Sequence, residues 1–157
     1  MKRALFPFLV LLGAAVMTAQ TSGQTDPAVG TWKLNTAKSK YDPGPVPKSN
    51  TIVITAVKNG VKVSAKGVDG DGKPTSTDYT VVYDKKDVPV KGPAAYDSVS
   101  ASRIDPNTTQ LTRKKGGKEV QTATRAISSD GKTMTVTTTG IDEKGRKINT
   151  VAVFDRQ

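Results

Sequence analysis

The chain of 157 residues has no cysteine and no histidine, and aromatic residues make up only 5% of it, with a single tryptophan, Trp32. Without cysteine there is no disulfide framework, no thiolate nucleophile and no cysteine-built zinc site. Without histidine the commonest general base and metal ligand is missing. Glutamate is confined to Glu119 and Glu143, and the aspartates sit mostly at turns, so no pair of carboxylates stands out as an acid/base couple. The expectation is a protein that is not an enzyme, holds no metal and uses no cofactor.

What is present begins with a basic start, Met1-Lys2-Arg3, followed by the uncharged apolar run Ala4 to Met17 and a small-residue site at Ala19-Gln20. That order predicts a secretory signal peptide over residues 1–19. A bilayer span needs about 20 apolar residues, and Pro7 interrupts this run, so no membrane span is expected. Cleavage would deliver the protein to the periplasm or the extracellular space. It would leave 138 residues with 22 basic and 14 acidic side chains, a net +8. That length fits one domain, laid out as a flexible lead-in over 20–28 and a folded unit over 29–157, expected to be monomeric. The lysines are scattered singly. Their densest cluster, Arg113-Lys114-Lys115 with Lys118, has no interleaved aromatic on which a base would stack, so nucleic acid is not an expected partner.

Past the leader only Leu34 and Leu111 remain as leucines, while threonine and valine dominate. Such β-branched residues favour strands over helices. Turn dipeptides recur at Asn59-Gly60, Asp69-Gly70, Asp71-Gly72, Gly116-Gly117, Asp130-Gly131 and Lys144-Gly145. Short alternating runs between regular turn signals predict an all-β fold. The preferred form is an antiparallel up-and-down barrel of about 8–10 strands, because a sheet of that width curls and closure removes its edges. A two-sheet sandwich is the alternative. A two-residue turn at Asn59-Gly60 would oppose Ile54 to Ala65 and Ile52 to Gly67, placing the apolar residues on one face and the lysines on the other. Further strands are expected near 30–35, 76–83, 88–90, 98–104, 109–114, 119–128, 133–139 and 147–155.

The arginines and lysines divide by strand parity. Arg103 continues Val99 and Ala101, Arg113 continues Leu111, Arg125 lies between Ala123 and Ile127, and Arg156 follows Ala152 and Phe154. Each shares a face with its strand's apolar residues. Lys33, Lys62, Lys66, Lys114 and Lys147 take the opposite parity. A planar, weakly hydrated guanidinium tolerates burial better than an ammonium does. An interior with cationic donors would hold the acidic head of a small apolar or amphipathic ligand. The candidate lining is Arg103, Arg113 and Arg125 with Tyr79 and Tyr83, which share a parity with Val81. The competing reading is structural, with arginines stacked on aromatics, paired with carboxylates or reaching water at strand ends. Arg113 joins the face of Arg125 only if the adjacent loop is Lys115-Gly116-Gly117, which would set it opposite Glu119. A different class of function is a non-enzymatic interaction module whose lysine-rich outer face contacts an anionic envelope or matrix polymer.

Other motifs read as turns or plain strand. Asp69-Gly70-Asp71-Gly72 lacks the third ligand and the terminal glutamate of a calcium loop. Asn107-Thr108-Thr109 follows Asp105-Pro106, and the alternating Thr133, Thr135 and Thr137 suit an exposed strand.

Val29-Gly30-Thr31-Trp32-Lys33-Leu34 carries a Gly-x-Trp, and Val153-Phe154-Asp155-Arg156 closes the chain. Together they resemble the first and last strands of lipocalins, fatty-acid-binding proteins and avidins, the calycin superfamily of up-and-down barrels. The whole resembles small secreted bacterial proteins described only as lipocalin-like. The resemblance implies that Trp32 closes one barrel end with Arg156 stacked over its ring, Gly30 being part of the same structural motif. The last-strand Arg-x-Tyr of fatty-acid-binding proteins falls here on Ala152 and Phe154. Their two helices after the first strand fall on a stretch, residues 36–50, that contains Pro43, Pro45 and Pro47 and reads as an extended loop. Avidins use several tryptophans around biotin, and this chain has one.

Overall fold

The structure, a computed structural model, describes residues 25–93 and 95–157. The expected signal peptide and residues 20–24 of the lead-in lie outside the described residues. Eleven strands follow in chain order: β1 (Gly30–Leu34), β2 (Lys40–Asp42), β3 (Ser49–Val57), β4 (Gly60–Val68), β5 (Pro74–Val82), β6 (Val88–Pro89), β7 (Ser98–Asp105), β8 (Thr108–Lys115), β9 (Lys118–Ile127), β10 (Thr133–Ile141) and β11 (Lys147–Arg156). Every pairing is antiparallel, and the order across the sheet is β5-β4-β3-β1-β11-β10-β9-β8-β7-β6. Its two ends meet where Asp78 on β5 and Lys91 after β6 exchange backbone hydrogen bonds of 2.9 and 3.0 Å. The result is a nearly closed up-and-down barrel rather than a sandwich.

Strand β2 lies inside the stretch expected to be an extended loop. Asn35 explains it. Its side chain accepts from the Lys38 backbone N–H at 3.1 Å and caps a single 3-10 turn, Thr36–Lys38. Ser39 Oγ then accepts from Val153 N at 2.9 Å, which returns the chain to β11. Tyr41 pairs with Thr150 there, so β1 and β2 share one edge of β11.

Two expected registers are corrected. The β3–β4 hairpin opposes Ile54 to Val63 and Ile52 to Ala65, two residues away from the expected pairing. Only Asn59 of the expected turn pair takes a positive φ, 60°. Gly60 is already in the strand, where a Cβ would lie 2.1 Å from the Val81 carbonyl oxygen. The glycine is needed for that close approach, and the tip moves back to Lys58-Asn59. A shift of two preserves the faces, so the apolar side stays inside.

At the β8–β9 hairpin, Gly116 (φ 55°) and Gly117 (φ 80°) form a two-residue loop, the count that by itself would set Arg113 opposite Val120. Arg113 nevertheless opposes Gln121, because the register shifts by one residue beyond Lys114–Glu119 and leaves Val120 as the extra residue on β9. Arg113 therefore joins the face of Arg125, opposite neither Val120 nor the Glu119 that a three-residue loop would have given it.

One continuous inner face runs round the barrel. Trp32, Ile54, Val61, Val81, Val99 and Met134 are almost completely buried on it, joined by Leu111, Ala123 and Phe154. Each of the valine, isoleucine, leucine, methionine and phenylalanine side chains contributes about 1.5–3 kcal/mol of burial, so this packed part supplies the stability on which the polar interior residues depend.

Residues 26–28, placed by the sequence in a flexible lead-in, are instead held against the barrel end. Ala28 is buried and its carbonyl accepts from Trp32 Nε1 at 2.8 Å.

Candidate functional site

Four of the five described arginines face inward. Arg103, Thr109, Arg125, Val136 and Ala152 oppose one another in succession across β7 to β11, and so share a face with the packed core. Arg113 stands between Val99 and Gln121, and Arg156 opposes Trp32. Arg146 sits in the β10–β11 turn, bonded to Asp142 at 2.7 Å. Lys33, Lys62, Lys66 and Lys147 are exposed on the outside, and Lys114 pairs with Asp87 at 2.8 Å.

The four inward guanidinium groups have different surroundings. Arg156 lies 4.2 Å from the Trp32 ring centroid and donates to the carbonyls of Gly131, Val29 and Pro27 at 2.6, 2.7 and 2.7 Å. The Gly-x-Trp spacing now has a steric cause. Gly30 adopts φ 146°, and a Cβ there would lie 2.4 Å from Arg156 Nη1, so the glycine leaves the seat for the guanidinium.

Arg103 stacks 4.2 Å over the Tyr83 ring, donates to Pro106 O at 2.8 Å and forms an ion pair with Asp26. Tyr83 donates its hydroxyl to the same Asp26 oxygen. Burial acts to raise the Asp26 carboxyl, but the bonds from Tyr83, Ala28 N–H and Arg103 outweigh it and hold its pKa below the usual carboxylate value. The Tyr83 hydroxyl is pushed up to about 12, by burial first and by its bond to Asp26 second.

Arg113 is half-buried, lies 4.8 Å from the Tyr96 ring centroid and donates to Gln121 Oε1 at 3.0 Å. Gln121 is fixed in turn by its own bond to the Ile141 carbonyl at 3.0 Å.

Arg125 is the exception. It is only 4% exposed, and its sole side-chain hydrogen bond among the described residues is a long one, 3.5 Å to the Tyr83 hydroxyl. No ion pair with it forms among the described residues. Its other donor nitrogens are not among the fully buried unpartnered atoms and so border accessible space within the barrel, where a cation without a counter-ion still bears part of its desolvation cost.

Tyr79 opposes Val63 on the inner face. Burial raises its hydroxyl pKa against the pull of Arg125 and Arg113. Tyr41 is raised in the same way, with Arg113 opposing. Both rings are half-buried, as are the inward-facing Ile52, Thr77 and Val136, so this part of the lining is less tightly covered than the part around Trp32. Asn50 adds a buried side-chain oxygen without a partner among the described residues.

The expected residues thus fall into three groups. Arg113, Arg125 and Tyr79 share the deeper interior, and Arg103 and Tyr83 meet on Asp26 at the same barrel end that Trp32, Gly30 and Arg156 close, Arg156 being bonded to the adjoining Pro27 carbonyl. Sequence reasoning missed Asp26, Gln121, Tyr41 and Tyr96. Gln121 was findable from its parity with Ala123 and Arg125, whereas Asp26 and Tyr96 lie outside any strand and carry no periodic signal. Among the described residues no cluster of acidic groups could hold a metal ion, and no helix is long and apolar enough to cross a membrane. Chemically, the interior offers cationic and phenolic donors beside apolar walls, which suits an anion carrying a hydrocarbon body.

No protein-family model and no curated protein matches this chain. Solved structures do. The zebrafish ileal bile acid-binding protein complexed with cholic acid matches with a TM-score of 0.51 at 11% identity, over 83% of this chain and 99% of that one. Rv2717c from M. tuberculosis matches with a TM-score of 0.53 at 16% identity, over 83% of this chain and 93% of that one. These likenesses show the fold, a barrel with calycin-like neighbours.

Proposed function

We propose that the protein is an exported, lipocalin-like barrel that binds a small anionic amphipathic molecule non-covalently, with Arg125, Arg113 and Tyr79 as the interior donors and Arg103 and Tyr83 at the mouth. The observation that carries this reading is Arg125, a guanidinium held in the interior without a carboxylate. A cation held there without a carboxylate bears an uncompensated desolvation cost, which an anionic ligand would offset. The bile acid held by one structural neighbour is an amphipathic anion, which supports the same ligand class. The absence of histidine and cysteine supports binding over catalysis.

Native mass spectrometry of the protein purified from the organism that makes it tests the reading. The expected spectrum contains a small acidic molecule on the wild type that is lost from Arg125→Met. Wild-type protein free of any adduct, retained on an anionic polymer in a salt-dependent way, would replace the carrier by the interaction module with lysines Lys33, Lys62 and Lys66 outermost.

A further inference from the structure

Ser100 and Ser102 alternate along β7 with the buried Val99 and Ala101, so their side chains point away from the barrel interior. On β8 they stand opposite Thr112 and Gln110. The chain between β5 and β6 runs beside β7, where the Lys85 N–H donates to the Ala101 carbonyl at 3.0 Å. A pocket of about 170 Å³ on the outer face results, lined by Lys85, Ser100, Ser102, Gln110 and Thr112 with Ala101.

Ser100 is only 8% exposed, yet its side chain makes no hydrogen bond among the described residues. Its hydroxyl is not among the fully buried unpartnered atoms, so it opens onto the pocket. Each of the five polar side chains of the lining can donate a hydrogen bond, and none is a carboxylate. The nearby Asp84 and Asp87 are engaged by Lys86 and Lys114 at 3.5 and 2.8 Å. Lys85 forms no ion pair among the described residues, and its ammonium is the charge left to the pocket. Lys85 also holds φ 63°, a left-handed conformation that residues other than glycine avoid and that persists where the surroundings fix it, often at a ligand clamp. A cavity of about 150 Å³ takes a molecule the size of benzene, so this one has room for the five heavy atoms of a tetrahedral oxyanion.

We propose that the pocket binds a phosphate or sulfate group, with Lys85 supplying the charge and Ser100, Ser102 and Thr112 the hydroxyl donors. The site lies on the outside of the barrel and does not depend on what the interior holds. Beyond Gln110 and Thr112 the same face continues through Thr124 and Thr122 on β9 to Thr137 and Thr139 on β10, an uncharged, hydroxyl-bearing surface that suits a sugar attached to the anion.

Amide NMR titration at pH 7 with inorganic phosphate, glucose 6-phosphate and glucose, at constant ionic strength, tests the site. Saturable shifts are expected at Lys85, Ser100 and Ser102 with both phosphates and none with glucose. Tighter binding of the ester assigns the site to a sugar-borne anion, and equal or tighter binding of inorganic phosphate to the free one. Lys85→Gly removes the ammonium and suits the positive φ, so it is expected to fold and to bind about tenfold more weakly, the loss of one charge-assisted bond. Ser100→Ala is expected to lose about fivefold, the size of a neutral bond. Lys62→Ala removes an equal charge on β4 and is expected to bind as wild type does. Shifts that fail to saturate, a loss in Lys62→Ala equal to that in Lys85→Gly, or binding of glucose as tight as that of its phosphate would overturn the site.

Discussion

Arg156 and Arg125 lie two strands apart on the same inner face, yet their surroundings are opposite. Arg156 spends its guanidinium on three backbone carbonyls and an indole ring. Arg125 is the more deeply buried of the two and has a single long contact to a phenol. One cation is a structural rivet, fully used within the chain. The other retains donor capacity that no described carboxylate uses. Strand parity is the same signal for both, so what separates structure from candidate function is the satisfaction of the donors, not the face they occupy.

The sharpest way to break this contrast is to remove the rivet. Arg156→Ala deletes the three bonds and the stack and leaves three carbonyls at the closed end without donors. It should cost about 3–5 kcal/mol in denaturant unfolding, the range for breaking a buried charged network. A loss of under about 1 kcal/mol would make Arg156 no better satisfied than Arg125.

A smaller effect separates the mouth from both. Tyr83 has its folded pKa raised from 10.0 to about 12, so the stability it contributes is complete below pH 10 and is lost as pH climbs towards 12. Tyr83→Phe removes the bond to the Asp26 carboxylate and the long contact from Arg125, should cost about 1.5–3 kcal/mol at pH 7, the range for a hydrogen bond to a charged group, and should flatten that alkaline decline. An unchanged decline in the variant would assign it to another group.

Much of the fold was legible in the sequence because strand patterning survives errors of register. The Asn59-Gly60 hairpin was displaced by two residues and still turned Ile52 and Ile54 to the inner face, since an even shift keeps every side chain on its face. Arg113 stayed on the inner face for a reason the loop count did not contain, the bulge at Val120. A bulge is a one-residue local choice with no compositional mark. Strand β2 was hidden for a similar reason, because three residues are too few to show a period, and the prolines after it dominate the reading of the stretch. The inward arginines could be found by parity alone. Their partners could not, since Asp26 and Tyr96 approach from irregular segments 77 and 17 residues away from Arg103 and Arg113 along the chain. A sequence pattern can place a charge on the inside, but only coordinates show whether the chain itself neutralises it.

The most direct test is urea unfolding of wild type and Arg125→Met at pH 7, each with and without saturating dodecanoate. An unpaired buried cation predicts that the variant is more stable than wild type without ligand, by about 1–4 kcal/mol, and that only the wild type gains stability from the anion. A variant less stable than wild type, with the response to dodecanoate intact, would mean that Arg125 is already satisfied within the fold and holds no ligand.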